Sequence, residues 1–330
     1  MKLLVIGGTK FVGRAVIEEA VARGHEVTVF HRGTTEPADL PPVAHVHGDR
    51  NGGLGALTGG TWDLALDTCA YVPRQVREVV DTLSDAVGHF GFISTLSVYP
   101  DDMPAGATES SAVHPAPYPD TEEVDDQTYG PLKVACEQEA LTGFPGRCLI
   151  VRPGYIVGPH DPTDRFTYWV RRAARGGAML APEPAGEALQ VVDARDLGAF
   201  TLDHLEAGTV DVFGVVGPRE PLTWEALLGV VADVSGSDVT PTWVDGGFLR
   251  QRLGDDVYEA LPLWDIEYPG LHRFDASKAV AAGLRRRPIE EIVADTLAWD
   301  RGRDQEVPLK SGLTPEREAE LLAAWREMSA

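Results

Sequence analysis

Apolar segments of strand length alternate with segments of helical periodicity through the first half of the chain. The strand-like segments are short and end in glycine or polar residues, whereas the others repeat their apolar residues once per helical turn. This alternation predicts a parallel β-sheet covered by helices on both faces. We predict strands at 3–6, 26–30, around Val46, 64–66, 89–93 and 148–151, and helices at 11–21, 72–87 and 128–141.

The pattern becomes more helical after about residue 155. Just before the third helix, residues 100–126 are rich in Pro, Ala and acidic side chains, which predicts a surface loop. Later helices are predicted at 164–175, directly after Asp193, at 224–234, at 276–282 and from Pro315 to about Met328, with strands at 191–193 and 210–216. We therefore predict an α/β fold. A Rossmann-type domain with a doubly wound sheet spans 1–155, and residues from about 193 to 217 belong to the same domain. A smaller and mostly helical substrate-binding region spans 156–192 and 218–311, and a C-terminal helix spans 312–330.

Composition and charge narrow the class of protein. The chain has 330 residues, of which 43% are hydrophobic and 24% are charged, as is usual for globular proteins. Asp and Glu number 51 against 29 Lys and Arg, for a formal net charge of −22. Because an acidic surface repels phosphate backbones and anionic lipids, we expect a small-molecule partner and neither nucleic acid nor a membrane. The N-terminus enters a strand at once, so we expect no signal peptide.

The cysteines are few, and their spacing favours neither a disulfide framework nor a zinc site. Cys69, Cys136 and Cys148 form an odd set without a C-x-x-C pair. We therefore predict a cytoplasmic protein without a bound metal. We also expect a monomer or homodimer.

A glycine-rich turn joins the first predicted strand to the first predicted helix. It reads Gly7-Gly-Thr-Lys-Phe-Val-Gly13. Glycines at this point allow a tight turn and close helix–strand packing, and the helix N-terminus can receive a pyrophosphate. The position within the first βαβ unit predicts a Rossmann-type dinucleotide-binding domain; the alternative is an ordinary strand-to-helix turn.

The end of the second predicted strand carries His31 and Arg32 where dinucleotide-binding folds often have an acidic residue. An acid at this point accepts a bond from the ribose 2′-hydroxyl, whereas an arginine suits a 2′-phosphate. Lys10 in the glycine turn could add a second positive charge. We therefore predict that NADP(H) is preferred, with NAD(H) possible; the alternative is that Arg32 and Lys10 are simply solvated.

Candidate acid–base chemistry lies on the helix at 128–141 and on the strand before it. Tyr129 and Lys133 are four residues apart, so both project from one helix face. A nearby ammonium lowers the pKa of a tyrosine, which would make Tyr129 a usable acid/base. The strand at 89–93 leads into Ser94-Thr95-Leu96-Ser97, whose hydroxyls could bond a substrate carbonyl.

Together these motifs resemble the extended short-chain dehydrogenases/reductases, the superfamily of nucleotide-sugar epimerases, dehydratases and reductases. Four motifs match in order: the turn at 7–13, the segment 94–99, Tyr129-x-x-x-Lys133, and the Arg-Pro segment at 152–159. The segment 192–197 resembles a later part of the family. The resemblance covers about two thirds of the chain.

The resemblance implies a role for each matching position. Tyr129 would be the acid/base, Lys133 would hold the nicotinamide ribose, and Thr95 would be the catalytic hydroxyl. The implied cofactor-binding residues are Gly7, Thr9, Lys10, Phe11, Val12, Gly13, His31, Arg32, Asp49, Arg50, Thr68, Cys69, Ala70, Tyr129, Lys133 and Pro153. The candidate substrate residues are Ser97, Tyr155, His160 and Arg165.

Departures from the family pattern favour one activity over others. Sugar-nucleotide dehydratases of the family carry an Asp-Glu pair after the catalytic hydroxyl, and here Leu96 and Ser97 take its place. The glycine turn looks closest to a branch that includes chloroplast stem-loop-binding proteins, but the net charge of −22 opposes an RNA role. We predict an NAD(P)-dependent reductase acting on a carbonyl or carbinol carbon of a sugar-like or nucleotide-linked molecule. The alternatives are a nucleotide-sugar epimerase with tightly bound NAD, or a non-catalytic dinucleotide- or RNA-binding protein.

Overall fold

The computed structural model describes residues 1–116, 121–265, 268 and 270–329. Its strands are β1 (Lys2–Ile6), β2 (Glu26–His31), β3 (Ala44–His47), β4 (Trp62–Asp67), β5 (Val87–Ile93), β6 (Cys148–Pro153), β7 (Tyr155–Val157), β8 (Ala178–Pro182), β9 (Val191–Asp193), β10 (Val212–Val215) and β11 (Thr240–Val244). Its helices are α1 (Phe11–Ala22), α2 (Pro73–Leu83), α3 (Tyr129–Gly143), α4 (Arg165–Ala174), α5 (Ala194–Glu206), α6 (Trp224–Ser235), α7 (Gly246–Leu253), α8 (Val257–Ala260), α9 (Ser277–Ala281), α10 (Ile289–Arg301) and α11 (Pro315–Ser329).

The first of two compact units contains a seven-stranded parallel sheet. It comprises Met1–Gly154, Ala194–Val216 and Phe274–Arg285, with strand order β10-β6-β5-β4-β1-β2-β3. Helices α2 and α3 pack on the face that includes Leu4 and Ala65, and α1 and α5 cover the other face. Every residue from Leu3 to Ile6 is fully buried, which explains the unbroken apolar run, because both faces of the sheet are covered. The predicted doubly wound sheet is confirmed.

The strand order of the first unit reverses between β1 and β4. At such a switch point the loops after neighbouring strands diverge and leave room for a ligand at the C-terminal ends of the strands. The loops after β1, β4 and β5 carry the glycine turn, Thr68-Cys69-Ala70 and Thr95. Topology therefore collects the predicted cofactor and catalytic segments at one edge of this unit.

The second unit comprises Tyr155–Asp193, Gly217–Arg273 and Arg286–Ala330. Helices α4, α6 and α10 pack together around the buried Trp169 and Trp224, beside two parallel strand pairs, β7 with β9 and β8 with β11. The sequence pattern missed β7, β8, β11, α7, α8 and α10. Of the missed strands, β7 has only three residues, and β8 and β11 each contain a proline, which disfavours a strand. Helix α10 follows directly on a stretch of basic residues and Pro288.

A 3-10 turn at Leu96–Val98 precedes residues 100–126, and this segment forms no helix or strand among its described residues. Positions 117–120 lie outside the described part. Several contacts anchor this segment within the first unit. Met103 and Ala107 are buried, and Ala107 O accepts the Asp275 N–H at 2.9 Å. Glu109 accepts the Gly214 N–H at 2.8 Å. The predicted surface loop is therefore partly a packed segment.

Throughout the described residues, no helix has the length and apolarity needed to cross a bilayer.

Candidate active site

The glycine turn after β1 is packed too closely for larger residues. A Cβ on Gly7 would lie 2.4 Å from Cys69 Sγ, and a Cβ on Gly13 would lie 2.5 Å from Gly8 Cα. Gly7 has φ +90°, a conformation that favours glycine. Helix α1 begins at Phe11 with no side-chain cap and no acidic residue in its first turn, and Lys10 beside it is exposed. These features fit a pyrophosphate group, because the free N–H groups and the helix dipole favour an anion.

The two side chains predicted to bind the adenosine end of the cofactor, Arg32 and His31, differ in exposure. Arg32 is exposed just after β2. The pKa of Asp49 is held below its usual range mainly by hydrogen bonds from Asn51, and the positive charge of Arg32 adds to this effect. His31, by contrast, is buried, with Nε2 2.8 Å from His45 Nδ1. Arg32 is thus the side chain of this pair that is open to a ligand.

A buried ion pair stands at the end of β4. Arg50 donates from Nη1 and Nη2 to the two oxygens of Asp67 at 2.9 and 2.8 Å, and the Cys69 N–H also bonds Asp67 at 2.9 Å. Burial opposes ionisation of Asp67, yet Arg50 overcomes it and holds the pKa of Asp67 below its usual range. The pair fixes the Thr68-Cys69-Ala70 loop, which was predicted to border the cofactor. Asp49, predicted to contact adenine, is exposed and bonds Asn51 N–H at 2.8 Å.

Cys69 lies beside this ion pair but is not set up as a nucleophile. Burial raises the pKa of its thiol to about 11, so the thiolate is scarce at neutral pH. The thiol instead accepts a bond from Arg50 Nη1 at 3.0 Å.

Tyr129 and Lys133 share one face of α3, as the spacing predicted. Tyr129 is the first residue of the helix, and its half-buried ring lies 6.2 Å from the ring of Tyr71. The start is fixed by Asp125, which accepts the Thr128 N–H at 2.9 Å. Gly130 lets the helix approach the hydroxyl-bearing turn, since a Cβ there would meet Ser97 O at 2.0 Å. The first turn of α3 therefore lies against the segment that carries Thr95.

Lys133 is buried rather than solvated. Its Nζ donates to Ala70 O at 3.0 Å and to Ile93 O at 2.8 Å, which ties α3 to the ends of β4 and β5. Burial lowers the pKa of this lysine from its ordinary value, and the nearby Asp67 opposes that shift. An ammonium has three N–H donors, so within the described residues one remains for a further partner.

The hydroxyls after β5 face different neighbours. Ser94 is buried and donates to Glu137 at 2.5 Å, so it is committed to the interior. Thr95 and Ser97 are half-exposed: Thr95 Oγ1 lies 3.2 Å from Ser97 Oγ and accepts the Ser97 N–H at 3.1 Å. Of the three hydroxyls, Thr95 and Ser97 are those open to a substrate.

A buried hydrogen-bond network that the sequence pattern did not predict lies behind these hydroxyls. Glu137 accepts from Arg152 Nε at 2.9 Å and Nη2 at 2.6 Å, and Arg152 Nη1 bonds the Tyr99 hydroxyl at 2.7 Å. Glu137 follows Lys133 by four residues, so helical spacing alone could have predicted that the two side chains share one face of α3. The network joins α3 to β5 and β6 and thereby fixes the helix that holds Tyr129. Pro153, a predicted cofactor residue, ends β6 beside Val215.

The candidate substrate residues of the second unit fall into two places. The Tyr155 hydroxyl donates to Asp265, and the Arg165 guanidinium lies 5.3 Å from the centre of the Tyr155 ring. His160 instead packs against Trp299, with ring centroids 5.4 Å apart. Tyr155 and Arg165 thus share one polar cluster, and His160 lies against a different aromatic residue.

The same cluster contains a buried histidine, His272, whose protonation couples the stability of the fold to pH. His272 stacks on Tyr155 at 5.3 Å and accepts the Gln190 N–H at 3.0 Å, and burial lowers its pKa to about 4. Between about pH 6.5 and 4 the unfolded chain binds this proton and the folded chain does not, so stability falls as the pH falls. We expect His272→Asn, which keeps an acceptor for Gln190, to remove about 3 kcal/mol of this loss.

Urea unfolding at about pH 7 and about pH 4.5 checks this expectation, with His114→Asn in the first unit as the control. An equal loss of stability in wild type and in His272→Asn would contradict it.

No family model matches the chain. It is 24% identical over 254 residues to a chloroplast stem-loop binding protein of 41 kDa b from Arabidopsis thaliana, covering 71% of this chain and 63% of that protein, so the chain spans less than two thirds of that relative. It is also 24% identical over 326 residues to a Synechocystis protein named "Putative dihydroflavonol 4-reductase", covering 89% of this chain and 93% of that protein.

Among solved structures, the chain resembles the UDP-glucuronic acid 4-epimerase of Bacillus cereus in complex with NAD, with a TM-score of 0.66 and 14% identity over 91% of this chain and 99% of that one. The shared topology covers both units. The chain therefore has the fold of the extended short-chain dehydrogenases/reductases, and the resemblance predicted from its four motifs is confirmed.

Proposed function

We propose that this chain is an NADP(H)-preferring reductase that acts on a carbonyl carbon of a sugar-like or nucleotide-linked small molecule. The observation that carries the proposal is the placement of Tyr129 and Lys133 at the ends of β4 and β5. Lys133 is held there by two backbone carbonyls, and Gly130 brings the start of α3 against the turn that carries Thr95. A tyrosine, an ammonium and a hydroxyl in one place are the groups needed to protonate a carbonyl oxygen.

In the proposed mechanism, Thr95 bonds the substrate carbonyl and Tyr129 gives its phenolic proton to the carbonyl oxygen. A bound nicotinamide supplies the hydride to the carbonyl carbon. The Lys133 ammonium stabilises the resulting phenolate. Its remaining N–H can hold a ribose hydroxyl, and solvent returns the proton to Tyr129. The product is an alcohol.

The proposed preference for NADP(H) rests on Arg32. A guanidinium can bond a 2′-phosphate in a bidentate manner, and a charge-assisted bond contributes about 1.5–3 kcal/mol, or about ten- to a hundredfold in affinity. We expect Arg32→Ala to weaken NADPH binding by about that factor and to change NADH binding little. Fluorescence titration with each cofactor measures both affinities.

Arg77→Ala is the matched control, because Arg77 is an exposed arginine on α2 that pairs with Glu139 at 2.7 Å. Wild-type protein that binds NADH as tightly as NADPH would argue against a phosphate contact at Arg32.

An epimerase with tightly bound NAD is the second candidate, and the likeness to an NAD-bound UDP-sugar epimerase favours it. The two activities differ in what happens to the cofactor. A reductase oxidises added NADPH in step with the loss of a carbonyl, whereas an epimerase interconverts two stereoisomers with no net change in its cofactor. Assaying NADPH oxidation against a panel of keto-sugars, and analysing the nucleotide released on denaturation, separates them. Copurified NAD together with epimer formation would overturn the reductase proposal.

A further inference from the structure

Three histidines and a glutamate meet at the edge of the sheet in the first unit. We call His31, Glu36, His45 and His47 the histidine cluster. His31 ends β2 and lies opposite His47 on β3, the edge strand, and His45 shares a face with His47 because side chains alternate along a strand. Glu36 comes from the segment between the two strands. One donor atom from each residue lies within 4.8 Å of all the others.

The donor atoms of the histidine cluster are close enough to one another to share one metal ion. His31 Nε2 lies 2.8 Å from His45 Nδ1, His47 Nε2 lies 2.6 Å from Glu36 Oε1, and His31 Nε2 lies 3.7 Å from Glu36 Oε1. Zinc bonds of about 2.0–2.1 Å in tetrahedral geometry place neighbouring donors about 3.3 Å apart. The observed separations lie on both sides of that value. We propose that the histidine cluster binds one divalent transition-metal ion, with zinc as the best match.

The donor chemistry selects the metal class. Three imidazole nitrogens and one carboxylate oxygen suit zinc, whereas magnesium and calcium prefer sites made of oxygen donors. The whole donor set comes from residues 31–47, one strand–loop–strand segment, so the site is complete within the first unit. His31 is buried, whereas the other three side chains are exposed, which leaves the ion an entry path. The proposal does not depend on the proposed reductase activity.

This site was not predicted from the sequence, because the expectation of no bound metal rested on the spacing of the cysteines. The sequence feature that could have indicated the site is His45-Val-His47, because alternate residues of a strand place both imidazoles on one face. The third imidazole, that of His31, comes close only because β2 and β3 pair in parallel.

The hydrogen bonds of the histidine cluster define what metal binding must change. Gly33 N–H donates to His31 Nδ1 at 3.1 Å, so a neutral His31 carries its proton on Nε2 and donates it to His45. His45 Nδ1 accepts this bond and the Glu36 carboxylate accepts from His47 Nε2, so both acceptors are free of protons, whereas the His47 Nε2 proton must move to Nδ1 or to solvent before that nitrogen can bind a metal. For His31 to bind through Nε2, its proton must move to Nδ1, and the Gly33 N–H then loses its acceptor. Gly33 has φ +73°, in the region where glycine moves without a side-chain clash.

Titration of metal-free, tag-free protein with zinc chloride in a calorimeter tests the proposal. We expect one zinc ion per chain, and we expect His45→Ala and His47→Ala each to weaken binding by at least about tenfold. Excess magnesium chloride should not displace the zinc. The amide resonance of Gly33 should shift on zinc addition, because its acceptor is lost. The His47 side chain is 57% exposed, so its truncation leaves the core intact.

His25→Ala is the matched control, because His25 bonds Glu206 at 2.7 Å in the same first unit but outside the histidine cluster. This variant should bind zinc like wild type. The proposal is overturned if wild type and the His45→Ala/His47→Ala double variant bind zinc equally, or if His25→Ala loses as much affinity as His47→Ala.

Discussion

Replacing Tyr129 by phenylalanine is expected to lower turnover by about two to four orders of magnitude, the usual contribution of a positioned acid/base. The substitution keeps the ring and removes only the hydroxyl that would protonate the carbonyl oxygen. Because Tyr129 is half-buried at the first position of α3, loss of its hydroxyl leaves the interior packing unchanged. Cofactor affinity, measured separately by fluorescence titration, should stay close to wild type.

Tyr71→Phe is the most demanding control for this result. The Tyr71 ring is 6.2 Å from the Tyr129 ring, and its side chain is exposed, so both phenols stand in one neighbourhood. Lys133 Nζ lies 6.0 Å from the centre of the Tyr71 ring, yet burial raises the pKa of Tyr71, so this phenol is a weaker acid than an ordinary tyrosine. We expect Tyr71→Phe to retain turnover. The reverse pattern, with activity lost in Tyr71→Phe and kept in Tyr129→Phe, would assign the acid to Tyr71.

The first unit could be predicted from the sequence because its signals are local. Each buried strand of a parallel sheet is an apolar run, and each covering helix repeats its apolar residues at helical spacing. The same is true of the glycine turn and of Tyr129 and Lys133, whose relation is fixed by one helix. The hydroxyl segment after β5 was also found, although the sequence could not separate Ser94, which faces Glu137, from Thr95.

The interactions that the sequence did not predict are those between distant segments. Lys133 is buried because the ends of β4 and β5 offer carbonyl oxygens 63 and 40 residues away along the chain. Arg172 is buried against Glu318, 146 residues later. No spacing rule relates such partners, since only the tertiary fold brings them together.

The buried pair at the end of β4 carries the largest expected effect on stability. Asp67 has no exposed surface and accepts two bonds from Arg50 and one from the Cys69 N–H. In Asp67→Asn, the carboxylate charge is lost, and the new amide N–H group must face the Arg50 donors. Breaking one partner of a buried pair costs about 3–5 kcal/mol, because the remaining charge stays buried without compensation. We expect the free energy of unfolding at neutral pH to fall by that amount.

The pH dependence of the effect follows from the lowered pKa of Asp67. A carboxyl group with a depressed folded-state pKa stabilises the fold above its unfolded pKa of about 3.9, and that contribution is lost as the pH falls further. Wild type should therefore lose its advantage over Asp67→Asn as the pH falls below about 4. Urea unfolding across this range measures the difference, with Asp63→Asn as the control, because Asp63 lies on the same strand but is exposed.

A double-mutant cycle distinguishes the ion pair from simple packing. If the cost in Asp67→Asn comes from an uncompensated Arg50, then Arg50→Gln in the same chain removes the orphaned charge and restores part of the stability. Additive losses in the double variant would instead show that Asp67 and Arg50 contribute independently. In that case the loop at Thr68-Cys69-Ala70 would owe its position to the Cys69 N–H bond and to Thr68, whose hydroxyl donates to Ile6 O at 3.0 Å.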